Sequence, residues 1–184
     1  MPRGLKETSS PITVSASATA TTDAVAQQFS SKRIDLQLNP LDNEVFVVTG
    51  LKIDFTNPLA NPDGAAPGFK TLTQRCSLST GNQTVYAGIE SSNVIGASQI
   101  DATSNLSPDL KYYMALEQNS MDAPPATMDY LHVIATNDFF VNFQVSTQYA
   151  SAQDVGVSVR LFGYRAKADS STYAALVQSE LLSQ

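Results

Sequence analysis

"DFFVNFQVSTQYA", residues 138–150, places Phe139, Val141, Phe143 and Val145 on one side of an extended chain and Phe140, Asn142, Gln144 and Ser146 on the other. Alternation at a period of two marks a strand with one face in a core. The rest of the chain repeats the pattern. In RIDLQL, Ile34, Leu36 and Leu38 alternate with Asp35 and Gln37 until Asn39-Pro40 breaks the run. EVFVVTGLKIDFT, residues 44–56, is apolar at both parities before Gly50 and alternates through Leu51, Ile53 and Phe55 after it. This predicts one long strand, buried on both faces in its first half, with a bulge or bend at Gly50 that resets the inward side.

Further strands are expected at Leu72, Gln74, Cys76 and Leu78, at Val85, Ala87 and Ile89, and at Tyr112, Met114 and Leu116. Two more are YLHVIAT from Tyr130 and VGVSVRLFGY, where Val155, Val157, Val159 and Leu161 alternate. TSSPITVSASATATT, residues 8–22, sets Ile12 and Val14 among small polar residues and reads as a covered or edge strand. Nine or ten short strands with almost no helical periodicity predict an all-β, two-sheet sandwich or barrel. Only after ADSS does the period change. Asp169 or Ser170 can cap a short helix, with Tyr173, Val177 and Leu181 on one stripe joined by Ala174. A helix of about three turns is marginal alone, so it must dock, on its own domain or on a neighbouring subunit.

The 184 residues fit one domain, 1–184, with 1–29 as an N-terminal arm or edge strand and 169–184 as the C-terminal helix. Charged residues are 15%, against about 25% in a typical soluble domain, and Ser, Thr, Asn and Gln make up the difference. A weakly charged polar surface suits one covered by neighbours. The net charge of −6 argues against the basic patch that nucleic acid requires. The basic residues are dispersed along the chain, with Lys32 and Arg33 the densest group and Arg160, Arg165 and Lys167 far downstream. No apolar run approaches the 18 residues of a membrane span, and the N-terminal residues lack a secretory core.

The residue inventory holds little chemistry. Cys76 is the single cysteine, so no intrachain disulfide forms, and it reads as a small buried hydrophobe. His132 is the single histidine, in a strand-like run without a G-x-S-x-G partner. Asp122, Asp129 and Asp138 lie near one another in sequence but outside any calcium-loop pattern, and the glycines form no phosphate loop. Asn82-Gln83-Thr84 and Asn105-Leu106-Ser107 match the glycosylation triplet, a frequent coincidence in a Ser/Thr-rich chain. No catalytic residue, cofactor or metal is expected. The expected interface segments are the N-terminal stretch with Ile12 and Val14, the 57–68 loop with Pro58, Pro62 and Pro67, the 119–129 loop with Pro124 and Pro125, and the helix with Tyr173, Val177 and Leu181.

The opening MPRGLKETSS without a basic arm, the scarcity of lysine, and the closing VRLFGYRAKADSSTYAALVQSELLSQ resemble the smaller major capsid protein of sphaerolipovirus-type viruses, the tailless icosahedral viruses of halophilic archaea with an internal membrane. The resemblance covers the whole chain and carries no diagnostic motif. It implies a single jelly-roll barrel of eight or more strands standing upright on the shell. It further implies pseudo-hexameric capsomers built with a larger, tower-bearing capsid protein over the internal membrane. Its neighbours would be itself, that larger protein, a penton protein and the membrane surface, without direct nucleic acid contact. Its location would be the virion, after assembly in the host cytoplasm. The alternative from the residues alone is a carbohydrate-binding or adhesion β-sandwich.

Overall fold

The computed structural model describes residues 4–22, 27–56, 69–106, 111–118, 121–124, 126, 128–148 and 153–182. In chain order the strands are β1 (Leu5–Glu7), β2 (Ile12–Thr22), β3 (Gln28–Asp35), β4 (Glu44–Phe55), β5 (Phe69–Ser79) and β6 (Val94–Leu106). They continue with β7 (Lys111–Gln118), β8 (Met121–Asp122), β9 (His132–Ile134), β10 (Asp138–Thr147) and β11 (Gln153–Ala168), followed by helix α1 (Ser170–Leu182). All pairings are antiparallel. In sheet I, β11 lies between β4 and an edge shared by β1 and β2, while β8 and β9 run along the far side of β4. Sheet II has the order β3-β10-β5-β6-β7. The chain crosses between the sheets at six of its ten connections: β2 to β3, β3 to β4, β4 to β5, β7 to β8, β9 to β10, and β10 to β11. That path is the jelly roll.

The opening strand is the centre of sheet II. Phe139, Val141, Phe143 and Val145 of β10 are fully buried against Leu51 and Ile53 of β4 and Val155, Val157, Val159 and Leu161 of β11. Cross-strand neighbours Leu72, Cys76 and Leu78 join them. Each large side chain so buried contributes about 1.5–3 kcal/mol of transfer free energy.

The expected irregularity in β4 falls one residue before Gly50. Phe162 of β11 faces Gly50 and Gly163 faces Val48, so Thr49 is the extra residue of a β-bulge. Its hydroxyl donates to the Phe162 carbonyl at 3.3 Å. The extra residue inverts the parity of β4. Phe46 and Val48 face the core before it, Leu51 and Ile53 after it. Val45 and Val47 are thereby turned to the outside of sheet I, where with Val133, Ala135, Ala166 and Ala168 they form a second apolar cluster. The glycine that this geometry demands is on the other strand. A Cβ at Gly163 would collide with the Val47 carbonyl and the Phe46 ring, whereas one at Gly50 would meet nothing nearer than the Phe162 ring at 3.4 Å.

Helix α1 covers the second cluster. Asp169 caps it, its carboxylate accepting from the Thr172 amide at 2.7 Å. The docked stripe is Tyr173, Leu176, Val177 and Glu180, rather than the expected Tyr173, Val177 and Leu181 with Ala174. Ala174 and Leu181 face solvent. The cause is a polar anchor: Glu180 is buried and accepts from the backbone amides of Ala135 at 2.8 Å and Thr136 at 2.9 Å, just beyond β9. Burial pushes its carboxyl above the ordinary range, and the two amide bonds partly offset the push.

Three other expectations change. β3 ends at Asp35, because Gln37 adopts a left-handed φ of 54°, although Leu36 and Leu38 stay buried. The amides of Leu36 and Leu38 turn to the backbone and side-chain carbonyls of Asn137 instead of a strand partner. Val85, Ala87 and Ile89 lie in bends and turns, not a strand. Sequence reading passes over the two-residue β8, inside the expected 119–129 loop, and over the long β6, whose inward positions include Gly96, Ser98, Ala102 and Ser104. There the sheets come so close that a Cβ on Gly96 would sit 2.5 Å from Leu51 Cδ2.

Two outcomes test this packing. Gly163→Ala destabilises by about 1–3 kcal/mol, while Gly50→Ala costs less than about 1 kcal/mol, read from urea midpoints. For Glu180, a folded pKa above the unfolded one favours folding most below about 4.5. The stability of wild type minus that of Glu180→Gln therefore shrinks as pH rises from about 4.5 through the raised value. An increase over that range would show that the ionised carboxylate is the better anchor.

Candidate interaction surfaces

The described chemistry-bearing residues do not converge. Among them, no three His, Cys, Asp or Glu residues are placed to hold a metal ion. Cys76 is wholly buried, and burial drives its thiol far above the ordinary range, which removes the thiolate that nucleophilic attack needs. His132 pairs with Val48 across β9 and β4, half-buried, with Nε2 lacking a hydrogen-bond partner. Desolvation lowers its pKa. Asp138 forms an ion pair with Arg33 of β3. Asp122 lies against Gly96, with its carboxyl raised by burial.

What the strands do build is two unlike outer faces. On sheet II the outward residues Asn142 of β10 and Ser77 and Ser79 of β5 are polar yet buried. The Ser31 hydroxyl donates to Asn142 Oδ1 (2.8 Å), the Asn142 amide to Ser79 Oγ (2.7 Å), and the Ser79 hydroxyl to the Gly81 carbonyl (2.7 Å). This chain of bonds crosses three strands and ends in the 80–93 segment, which closes through Thr80 N–H to the Asn93 carbonyl at 2.9 Å. Gln83 braces the segment from within, donating to Asn93 Oδ1 and accepting from the Ala87 amide. The Arg75 guanidinium lies 5.8 Å from the centre of the Tyr86 ring, tying the segment to β5.

A segment held this firmly nevertheless displays Val85 at 69% and Ile89 at 73% exposure. Ile89 lines a shallow hollow with Arg75, Ala97 and Gln99 on the outer side of sheet II. On the same side, one strand further out, Leu116 faces Asp101 and Met114 faces Thr103. Both are more than half exposed. Ile89, Met114 and Leu116 thus stand in water on one side of sheet II.

The expected interface residues are distributed as follows. Ile12 is exposed on the β2 edge, while Val14 is half-buried against the core. Tyr173 and Val177 are half-buried under α1, and Leu181 and Leu182 are exposed at its end. Pro124 is half-buried. Pro58, Pro62, Pro67 and Pro125 lie outside the described residues. The 80–93 segment was missed as a surface because Val85, Ala87 and Ile89 mimic a strand. Its Gly81, Gly88 and Ser91-Ser92 are the turn signals that distinguish it.

No protein-family model and no curated protein matches the chain. Among solved structures it overlays a decameric BFDV capsid protein at 9% identity and TM-score 0.36, over 86% of this chain and 99% of that one. It overlays VP1 of Trichodysplasia spinulosa-associated polyomavirus at 7% identity and TM-score 0.32, over 92% and 97%. Turnip yellow mosaic virus gives 9% identity and TM-score 0.22, over 89% and 99%. Overlays this loose carry no inference about role.

His132 supplies a pH test. Its folded pKa lies below the unfolded value of about 6.5. The stability it contributes is present above pH 6.5 and is lost as pH falls toward the folded value. Wild type therefore loses stability relative to His132→Gln between pH 7.5 and 5.5, measured by urea denaturation. A constant difference would place the imidazole in water.

Proposed function

We propose that the chain is a non-enzymatic structural subunit of an icosahedral viral shell. The observation that carries this reading is the outer side of sheet II, where Ile89, Met114 and Leu116 are displayed in water. Support comes from the low charged fraction of 15%, which suits a surface that neighbouring subunits cover. The jelly-roll path is one that shell proteins use, although lectins use it too.

On the finer level, the proposal is an upright barrel that associates with its own copies and with a larger, tower-bearing protein in pseudo-hexameric capsomers over an internal membrane. The family resemblance supports this level. A net charge of −6 fits a subunit kept from the packaged nucleic acid. The exposed Ile12 and Leu181, with Pro124, are further contact candidates.

Light scattering of the purified chain across a salt series tests the reading. The expected result is association, strengthened by salt as apolar contacts are. Met114→Lys with Leu116→Lys should return the protein to monomer, with the urea midpoint that wild type shows when diluted to monomer. A wild-type monomer at every salt and at high concentration overturns the proposal.

A further inference from the structure

The outer face of sheet I beyond helix α1 gathers basic residues that are far apart in sequence. Lys52 of β4 stands directly opposite Arg160 of β11, and Arg160 directly opposite Ser15 of β2. Ser158 of β11 faces Asp54 on one side and Ser17 on the other. From β3 in the other sheet, Lys32 reaches over the β2 edge and donates to the Ser17 carbonyl at 2.7 Å. These residues line a concavity of about 630 Å3.

Two cations facing each other across a ladder repel. Neither Lys52 nor Arg160 has an ion-pair or hydrogen-bond partner among the described residues. Asp54 is the one anion in the lining, against three cations. A chain with net charge −6 and only 11 Lys and Arg thus places three of them around one hollow without neutralising them. The hydroxyls of Ser15, Ser17 and Ser158 complete a donor-rich ring, and the Lys32 ammonium keeps donors beyond the one it gives to Ser17.

We propose that this concavity binds a tetrahedral oxyanion group, phosphate or sulfate, either free or carried as an ester by a small molecule. Arg160 offers a planar fork to two oxygens, Lys52 a point charge beside it, and the serine hydroxyls the remaining donors. Lys32 closes the rim. Lys52 and Arg160 lie on sheet I, whereas the displayed Ile89, Met114 and Leu116 lie on the outer side of sheet II, so anion binding and association through that surface are read separately.

The test is thermal unfolding and titration calorimetry of the full chain in inorganic phosphate, sulfate and glucose 6-phosphate, against chloride at matched ionic strength. Lys52→Gln/Arg160→Gln runs in parallel, so that the general stabilisation of proteins by phosphate and sulfate cancels. At about ten times its dissociation constant, a bound anion raises the folded-to-unfolded ratio roughly elevenfold. Wild type should show that increment and the variant should not. In chloride the variant should be at least as stable as wild type, because a repulsion has been removed. Response to inorganic phosphate or sulfate assigns the site to the free ion; response to glucose 6-phosphate alone, with glucose inert, assigns it to the ester. An increment absent from wild type, or retained by the variant, overturns the proposal, as does a variant less stable than wild type in chloride.

Discussion

One extra residue organises this molecule. Because side chains alternate along a strand, the insertion of Thr49 into the β4–β11 ladder exchanges the inward and outward sides of β4 between Val48 and Leu51. Without it, Val45 and Val47 could not face outward while Leu51 and Ile53 face the core. The outward valines create the apolar seat on which α1 rests. The same inversion puts Lys52 and Asp54 on the outer face farther along the strand. A helix-covered half and an open polar half of sheet I therefore follow from a single local irregularity.

The polar contacts show how the seat is made specific. An apolar patch of valines and alanines would hold a helix at several rotations. Glu180 selects one, because its carboxylate meets two amides that β9 leaves free as the chain turns toward β10. A buried carboxyl costs desolvation, and the two charge-assisted bonds offset that cost only at the correct register. The 80–93 segment is fixed in the same manner, by the Ser31, Asn142 and Ser79 relay rather than by apolar packing.

Strands whose inward side is large and apolar were legible in the sequence: β4, β5, β10 and β11, together with the parity change near Gly50. β6 was not, since its inward residues are small or polar to let the sheets approach, and hydrophobic alternation is the signal that strand reading depends on. The helix was legible as an element but not in its rotation, because a buried glutamate outranks an apolar Leu181 only once its amide partners are in place. Surface sites suffered most. Lys32, Lys52 and Arg160 are dispersed in sequence, and only the cross-strand register places them together. Loop segments that fall outside the described residues leave the 57–68 expectation as it stood.

The Gly4 carbonyl accepts from the Asp169 amide at 3.1 Å, and Leu5 pairs with Ala168. The first described strand and the helix that follows the last one thus begin side by side at one end of sheet I. The helix then lies on the outer face of that sheet, while the displayed Ile89, Met114 and Leu116 are on the outer side of sheet II. The two broad sides of the sandwich are consequently distinguishable from within the chain itself. A reporter or affinity label fixed to an exposed helix residue such as Ala174 projects from the sheet I side, leaving the opposite broad face unobstructed for surface attachment or imaging in a defined orientation.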